Sequence, residues 1–223
     1  MKRMDRARGI KRRMKTLVAT IAVGLALGSL PEARRSEISS EAVLQFAAQP
    51  GGPSRTALDA ALAGYRRAIS LGAATNERFL TLIDYTLPSV QPRLWVLDTV
   101  AGTIAHRELV AHGRGSGENL ATSFSNEDDS HKTSLGLFVT GASYVGQNGY
   151  SLRLRGLDAG VNDRALARAI VIHGASYVGD AVARQLGRLG RSWGCPAVRP
   201  EVARSLIDLI KGGTVVYAHG PRA

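Results

Sequence analysis

The segment AIVIHGASYVGDAVARQLGRLGRSWGCPAV, residues 169–198, carries the main signals for both the fold and the chemistry of this chain. It opens with an apolar run, Ala169–His173, that ends in His-Gly. This pattern predicts a buried strand that brings an imidazole to the edge of a sheet. Cys195, the only cysteine among 223 residues, lies near the other end of the segment, between Gly194 and Pro196. The segment therefore predicts a histidine at a strand end and a lone thiol in a glycine-rich turn.

Short strand-like runs continue on both sides of this segment. They are Arg78–Tyr85, Leu94–Asp98, Thr103–Val110, Leu135–Thr140, Ser151–Leu157 and Thr214–Ala218. The residues Thr99–Gly102 between the second and third runs are typical of a hairpin turn. Short strands joined by glycine-rich connections favour a β-sandwich or a barrel-like β core. We therefore predict a mainly β domain over residues 78–223.

Two stretches have helical periodicity. The first is residues 54–71, which place four large apolar side chains on one face: Leu58, Leu62, Tyr65 and Ile69. Gly72 stands where the glycine that ends a helix is expected. The second helix is predicted over residues 200–211, with Pro200 in its first turn and two glycines after its end. A shorter apolar run, Ala42–Ala48, is a further helix candidate. We assign residues 29–77 to an N-terminal linker and helical segment.

The N-terminus has the composition of a secretory leader. Residues 2–15 carry eight Lys or Arg and one acidic side chain, and residues 16–30 carry no charge. This apolar run is shorter than the roughly 20 residues that a membrane-spanning helix needs. We predict that residues 1–28 are a signal peptide, and the alternative is an uncleaved N-terminal membrane anchor. Either interpretation predicts an exported protein of the periplasm or cell envelope.

The charge of the chain is concentrated in this leader. The whole chain has a net charge of +11, of which residues 1–28 contribute +7 and the remainder +4. A mildly basic domain does not indicate a nucleic-acid partner, whereas an exported cationic protein meets an anionic cell envelope. The chain has no phosphate-binding glycine fingerprint, and one cysteine with scattered histidines does not give zinc-ligand spacing. We therefore expect no cofactor and no metal.

An unpaired cysteine in an exported protein points to a reactive thiol, and the alternative is an inert buried side chain. Pro196 keeps Cys195 out of the helical region, and Gly194 permits a tight turn. The backbone N–H groups of Gly194 and Cys195 are candidate oxyanion donors. Positive charge on Arg188 and Arg191 would lower the pKa of the thiol. The sequence thus favours a nucleophilic Cys195, and its pairing with His173 should make it rich in thiolate at neutral pH.

A nucleophilic thiol also needs a base, and the chain offers five histidines. His173 is the best candidate, since a strand end is where a sheet borders a cleft. His173-Gly174 followed by Ser192-Trp193-Gly194-Cys195 resembles the catalytic signature of the murein L,D-transpeptidases. In that family a strand histidine precedes a Ser/Thr-His-Gly-Cys block.

Three further stretches are similar to the same family and extend the resemblance over residues 78–220. They are FSNEDDSHKTSLGLFVTG at 124–141, GYSLRLRGLD at 149–158 and IKGGTVVYAHGP at 210–221. Two positions depart from the family pattern: Trp193 replaces the usual histidine, and Ala197 replaces an arginine. The chain therefore resembles a divergent branch built on Arg-Ser-Trp-Gly-Cys-Pro.

The resemblance implies an L,D-transpeptidase-type β fold and a peptidoglycan enzyme that acts on stem peptides. Cys195 would attack the carbonyl at the L-centre of the third stem residue, releasing D-alanine and leaving a thioester. His173 would act as base and then acid, with its ring oriented by the Gly174 carbonyl. An amine would resolve the thioester in a transpeptidase, and water would do so in an L,D-carboxypeptidase or endopeptidase.

The resemblance also implies a substrate-binding set, Arg188, Arg191 and Ser192, because guanidinium groups suit stem carboxylates. Either arginine could stand in for the one missing at Ala197. A third interpretation belongs to a different class of protein: a non-catalytic wall-binding module that keeps the fold.

Overall fold

The computed structural model describes residues 45–221, which include the whole predicted β domain except its last two residues. The predicted leader, residues 1–28, lies outside the described residues, and the helix candidate at Ala42–Ala48 is described only over 45–48, where it is helical. Among the described residues, no helix is both long enough and apolar enough to cross a membrane.

After residue 48 the described chain contains three helices and eight strands, joined by turns and loops. In chain order they are α1 (Arg55–Ser70), β1 (Phe79–Asp84), β2 (Leu94–Asp98), β3 (Thr103–Glu108), β4 (Gly136–Gly146), β5 (Gly149–Gly156), β6 (Val171–Gly174), α2 (Asp180–Leu186), β7 (Ala197–Val198), α3 (Pro200–Ile210) and β8 (Val215–His219). A short 3₁₀ turn, Arg114–Ser116, lies between β3 and β4.

All eight strands belong to one sheet, in the order β3-β2-β1-β8-β4-β5-β6-β7. The β1–β8 and β6–β7 pairs are parallel and the other pairs are antiparallel. The two ends of the sheet come together, because Ala111, just beyond β3, bridges Ala197 of β7 with an N–H···O distance of 2.8 Å. The sheet is therefore nearly closed, and the predicted barrel-like β fold is confirmed.

Both faces of the sheet are covered, and β1 shows how. All six of its residues are buried. Side chains alternate between the faces of a strand, so Phe79 and Ile83 enter the core that also holds Cys195 and α3. Leu80 and Leu82 enter the second core, beneath α1. A strand buried on both sides appears as a continuous apolar run, which is the pattern of this segment.

The helix α1 begins and ends within one residue of its predicted bounds. The Ser54 hydroxyl accepts a hydrogen bond from the Ala57 N–H at 3.2 Å, which caps the first turn. Gly72 follows the helix with φ of +62°, a conformation that disfavours other residues. The predicted apolar face packs under the sheet, with Leu58, Leu62 and Tyr65 fully buried. The predicted helix at 200–211 is confirmed as α3.

The predicted strands are confirmed with shifts of at most two residues at their ends, except that β4 continues six residues past its predicted end to Gly146. Two elements were not predicted. β7 has only two residues, and its pairing comes from β6 on one side and from Ala111 on the other. α2 has no buried residue, so it leaves no apolar period in the sequence. These two elements flank the segment that carries Cys195.

Candidate active site

His173 lies at the end of β6, between Ser151 of β5 and Ala197 of β7 in the sheet register. Its ring Nδ1 is 3.0 Å from the Gly174 carbonyl oxygen. A carbonyl can only accept, so Nδ1 is the donor in this contact and Nε2 carries the lone pair. Burial lowers the pKa of His173, opposed by the Gly174 hydrogen bond, and the ring is therefore neutral at physiological pH.

Cys195 lies just before β7 and is 8% exposed. Its Sγ is 3.7 Å from the carbonyl oxygen of Ala169, which accepts from the thiol. Burial raises the pKa of the thiol, opposed by the Val171 N–H and by the charge of Arg168. The expectation of a thiolate-rich Cys195 is therefore wrong for the unliganded chain, because desolvation of the thiolate outweighs the nearby positive charge.

Through its buried hydroxyl, Ser192 links backbone groups of the cysteine loop, residues 191–195. Its hydroxyl donates to the Cys195 carbonyl oxygen at 2.6 Å and accepts from the Gly194 N–H at 3.1 Å. Its own backbone is fixed by hydrogen bonds to His112 and Arg114 on the segment after β3. Ser192 borders the cleft, but its buried hydroxyl is engaged within the protein. This geometry favours a structural role for Ser192, and the substrate-binding role that the resemblance implied stays a prediction.

Gly194 occupies a position that requires glycine. Its φ is +119°, and a Cβ at this position would lie 2.9 Å from the Lys132 carbonyl oxygen and 3.0 Å from Ile170 Cδ1. Because its N–H already donates to Ser192, Gly194 is not a free oxyanion donor as the sequence suggested. Within residues 45–221 the Cys195 N–H has no hydrogen-bond partner, so one of the two expected donors remains.

A cleft of about 540 Å³ joins these groups. His173 and Cys195 both line it, which brings together the two residues that the sequence assigned as base and nucleophile. The remaining walls come from the β4–β5 turn, from the residues after His173 and from the cysteine loop: Gln147, Asn148, Gly174, Ala175, Ser176, Tyr177, Arg191, Ser192 and Trp193.

The two predicted substrate-binding arginines converge on one carboxylate. Arg188 Nε lies 2.9 Å from Glu118 Oε2, and an Arg191 guanidinium nitrogen lies 2.6 Å from Glu118 Oε1. Arg191 also donates to the Gly117 carbonyl at 3.1 Å and lines the cleft. Arg188 is not among the residues that line the cleft. The pair forms a carboxylate-binding arrangement at the cleft edge, with Glu118 as its present partner.

Sequence reasoning missed Arg168, the arginine whose charge acts on the thiol. Its guanidinium donates to the Ser125 and Lys132 carbonyls and to the Ser134 hydroxyl, at 2.6–2.9 Å. It passes directly behind Gly194, where a Cβ would lie 3.4 Å from its terminal nitrogen. Arg168 precedes β6 by three residues, and only the fold shows which face of the loop it reaches.

A buried pair, Arg93 and His112, supports the segment that anchors Ser192. The Arg93 side chain is fully buried and donates to the Leu87 and Val110 carbonyls at 2.7–3.1 Å. It also lies 2.7 Å from His112 Nδ1. Burial, followed by the Arg93 charge, lowers the pKa of His112 to about 4. His112 is therefore neutral and accepts from Arg93.

Trp193, which replaces the family histidine, is 70% exposed at the edge of the cleft. Its ring stacks on His131, with the ring centroids 5.0 Å apart and an angle of 30° between the planes. The indole therefore borders the cleft and does not fill the core.

A family model for the L,D-transpeptidase catalytic domain matches residues 51–219 of the chain. The chain belongs to this family. The match covers β1 to β8, α1 and every residue of the cleft. No curated protein matches the chain at a significant level.

Solved structures of L,D-transpeptidases are similar to this member of the family at low sequence identity. An L,D-transpeptidase from Mycobacterium smegmatis is 13% identical, with a TM-score of 0.39, and the match covers 64% of this chain and 58% of that one. An L,D-transpeptidase from Xylanimonas cellulosilytica is 17% identical, with a TM-score of 0.39 and coverage of 69% and 68%. The cell-shape protein Pgp2 of Campylobacter jejuni is 12% identical, with a TM-score of 0.42 and coverage of 65% and 48%.

Proposed function

We propose that this chain is a peptidoglycan L,D-transpeptidase that works through a thioester on Cys195. One observation carries the proposal: His173, whose Nδ1 contacts the Gly174 carbonyl, shares a cleft with the only cysteine of the chain. Nucleophile, base and orienting group then follow the logic of a triad whose third member is a backbone carbonyl.

The reaction starts from a neutral thiol and a neutral imidazole. Burial raises the pKa of Cys195 and lowers that of His173, so a preformed ion pair is disfavoured in the free enzyme. His173 Nε2 therefore takes the thiol proton as the substrate carbonyl arrives, in the manner of a general base. The sulfur attacks the carbonyl carbon at the L-centre of the third stem residue.

Collapse of the tetrahedral intermediate releases the amine of D-alanine. His173 returns its proton to this leaving group, and Cys195 keeps the acyl chain as a thioester. The Cys195 N–H donates to the oxygen that becomes negative during attack. An amine of a neighbouring stem then attacks the thioester, with His173 again as base, and the thiol is restored.

Arg191, with Arg188 behind it, binds a carboxylate of the stem peptide. Both guanidiniums already bond to a carboxylate, that of Glu118, whose side chain is 69% exposed. The arginine side chains are only 23–28% exposed, but the carboxylate faces water, and ion pairs open to water contribute about 1 kcal/mol or less. A substrate carboxylate can therefore replace Glu118 at little cost in free energy.

The alternative functions use the same site differently. Water in place of the amine would make the protein an L,D-carboxypeptidase or endopeptidase, with an identical thioester. A wall-binding module would keep the cleft without chemistry. The neutral, oriented His173 in the same cleft as Cys195 favours catalysis, because simple binding needs neither a base nor a thiol.

We further propose that residues 1–28 direct export and that the enzyme works in the periplasm or cell envelope. Members of this family act on the cell wall, so export would bring the cleft to its substrate. In this proposal residues 29–77 are a linker and helical segment, and residues 78–223 are the catalytic domain, on which α1 packs.

Mass spectrometry of muropeptides after incubation with the mature protein tests the function directly. A transpeptidase gives cross-linked dimers and free D-alanine, whereas a carboxypeptidase gives trimmed monomers. We expect Cys195→Ala and His173→Ala each to abolish product, and the double variant to be no worse, because nucleophile and base act as one unit. Turnover by Cys195→Ala would contradict the thioester mechanism, and unchanged muropeptides with the wild-type protein would favour the binding module.

A further inference from the structure

We infer that the Tyr177 hydroxyl is a second oxyanion donor of this active site, beside the Cys195 N–H. This inference rests on the proposed thioester chemistry. It assigns a catalytic role to a side chain four residues beyond His173, in the loop between β6 and α2.

Only one of the two oxyanion donors predicted for the cysteine loop has its N–H free. Stabilising the developing oxyanion is commonly the largest single contribution to such catalysis, and it generally uses two donors. The Gly194 N–H is engaged by Ser192 at 3.1 Å, so of the two backbone donors predicted from the sequence the Cys195 N–H remains. The other walls of the cleft can supply a second donor.

Tyr177 is a tyrosine on another wall of the cleft. It lines the same cleft as His173 and Cys195. Its position is fixed by Gly190, whose N–H donates to the Tyr177 carbonyl at 2.8 Å. A Cβ at Gly190 would lie 2.4 Å from Tyr177 Cβ and 2.8 Å from its ring, so glycine is needed for the loop to close over this side chain. A ring held in this way loses little conformational entropy when it donates to a substrate.

The protonation state of Tyr177 suits a donor. Burial raises its pKa to about 12, and a negative charge on Cys195 acts in the same direction. The phenol therefore keeps its proton throughout the physiological pH range. Tyr85 is the other tyrosine near the thiol, but it is fully buried in the core and has no surface on the cleft, so it cannot reach a substrate.

In the proposed step, the sulfur–carbon bond forms while the carbonyl π electrons move to oxygen. Tyr177 and the Cys195 N–H donate hydrogen bonds to that oxygen, and both keep their protons. The electron pair returns to carbon as the bond to the leaving amine breaks, and that amine takes the proton held by His173. No further reactant is required.

Acylation of Cys195 by a carbapenem, followed by intact-protein mass spectrometry, tests the inference in Tyr177→Phe. The ring and its packing on Gly190 are preserved, so only the hydroxyl is lost. We expect the acylation rate and kcat for the stem peptide to fall about a hundredfold, with KM nearly unchanged. Tyr144→Phe, a tyrosine of β4 that does not line the cleft, serves as the matched control and should acylate at the wild-type rate.

Alkylation of Cys195 by iodoacetamide separates oxyanion stabilisation from thiol reactivity, because this displacement develops no oxyanion. We expect equal alkylation rates in wild type and Tyr177→Phe. Equal acylation rates, or a parallel loss of both reactions, would overturn the role of Tyr177, and the second result would also report a disturbed thiol or fold. A wild-type protein that neither takes up the carbapenem nor processes stem peptides would instead refute the proposed function, and the inference with it.

Discussion

Replacing Ser192 by alanine distinguishes a structural role from a substrate-binding role for this residue. The substitution removes the hydroxyl that joins the Gly194 N–H and the Cys195 carbonyl, at 3.1 and 2.6 Å. Leaving a buried polar group without its partner costs about 1–3 kcal/mol. For two such groups, with partial relaxation of the loop, we expect a loss of about 3 kcal/mol in the free energy of unfolding. In a domain of this size each kcal/mol lowers Tm by about 2–4 °C, which predicts a fall of about 6–12 °C.

Thermal unfolding followed by circular dichroism measures this effect. Ser205→Ala is the matched control, since the Ser205 hydroxyl bonds only to the Val202 carbonyl on the exposed side of α3. Its Tm should stay within about 1 °C of wild type, as is usual for surface substitutions. A Ser192→Ala variant with wild-type Tm and a raised KM for stem peptides would refute the structural reasoning and restore the substrate-binding role.

Three more outcomes follow from the charges around the cleft. Glu118→Gln should free Arg191 and lower KM for a carboxylate-bearing donor about two- to fivefold, the equivalent of about 0.5–1 kcal/mol. The control Glu201→Gln should leave KM unchanged. A raised KM in Glu118→Gln would mean that Glu118 positions the arginine. The rate of iodoacetamide alkylation of Cys195 should have its midpoint above pH 9.0, the ordinary thiol value, because burial raises the pKa; a midpoint below pH 7 would indicate a preformed ion pair. The pKa of His112 is lowered to about 4, so between about pH 6.5 and 4 the unfolded chain binds more protons than the folded one. Urea unfolding should therefore show the free energy of unfolding falling by up to about 3 kcal/mol as the pH falls through this window. His112→Asn should flatten that dependence, and an equally steep curve in this variant would assign it to other groups.

Local sequence patterns predicted most of the elements of this fold. The strand at Leu94–Asp98 was predicted at its observed bounds, and α1 and α3 within one residue at each end. These patterns are reliable because burial has a fixed period along a strand or a helix, and a helix end such as the one at Gly72 is signalled by neighbouring residues. β7 and α2 were not predicted, because a two-residue strand is too short to show an alternation of buried and exposed residues and α2 has no buried face.

For the candidate site too, local signals identified residues, whereas the structure shows how they are arranged. His173, Gly174 and Cys195 were found from local signals: a strand that ends in His-Gly, and a single thiol set between glycine and proline. The structure brings His173 and Cys195 to one cleft and sets the Gly174 carbonyl against the imidazole. Their catalytic roles stay predictions until the variants are assayed.

The sequence by itself determined the β character of the domain, its helices and the identity of the lone thiol, because each depends on residues that are neighbours along the chain. Only the tertiary structure shows that the Ser192 hydroxyl bonds to backbone groups of its own loop and that Arg188 and Arg191 both pair with Glu118. The same holds for Arg168, which lies behind Gly194, next to the nucleophile. These contacts join residues that are three to more than seventy positions apart. The direction of the Cys195 pKa also came only from the fold. Nearby arginines in the sequence suggested a lowered value, whereas burial, a property of the whole packed domain, raises it.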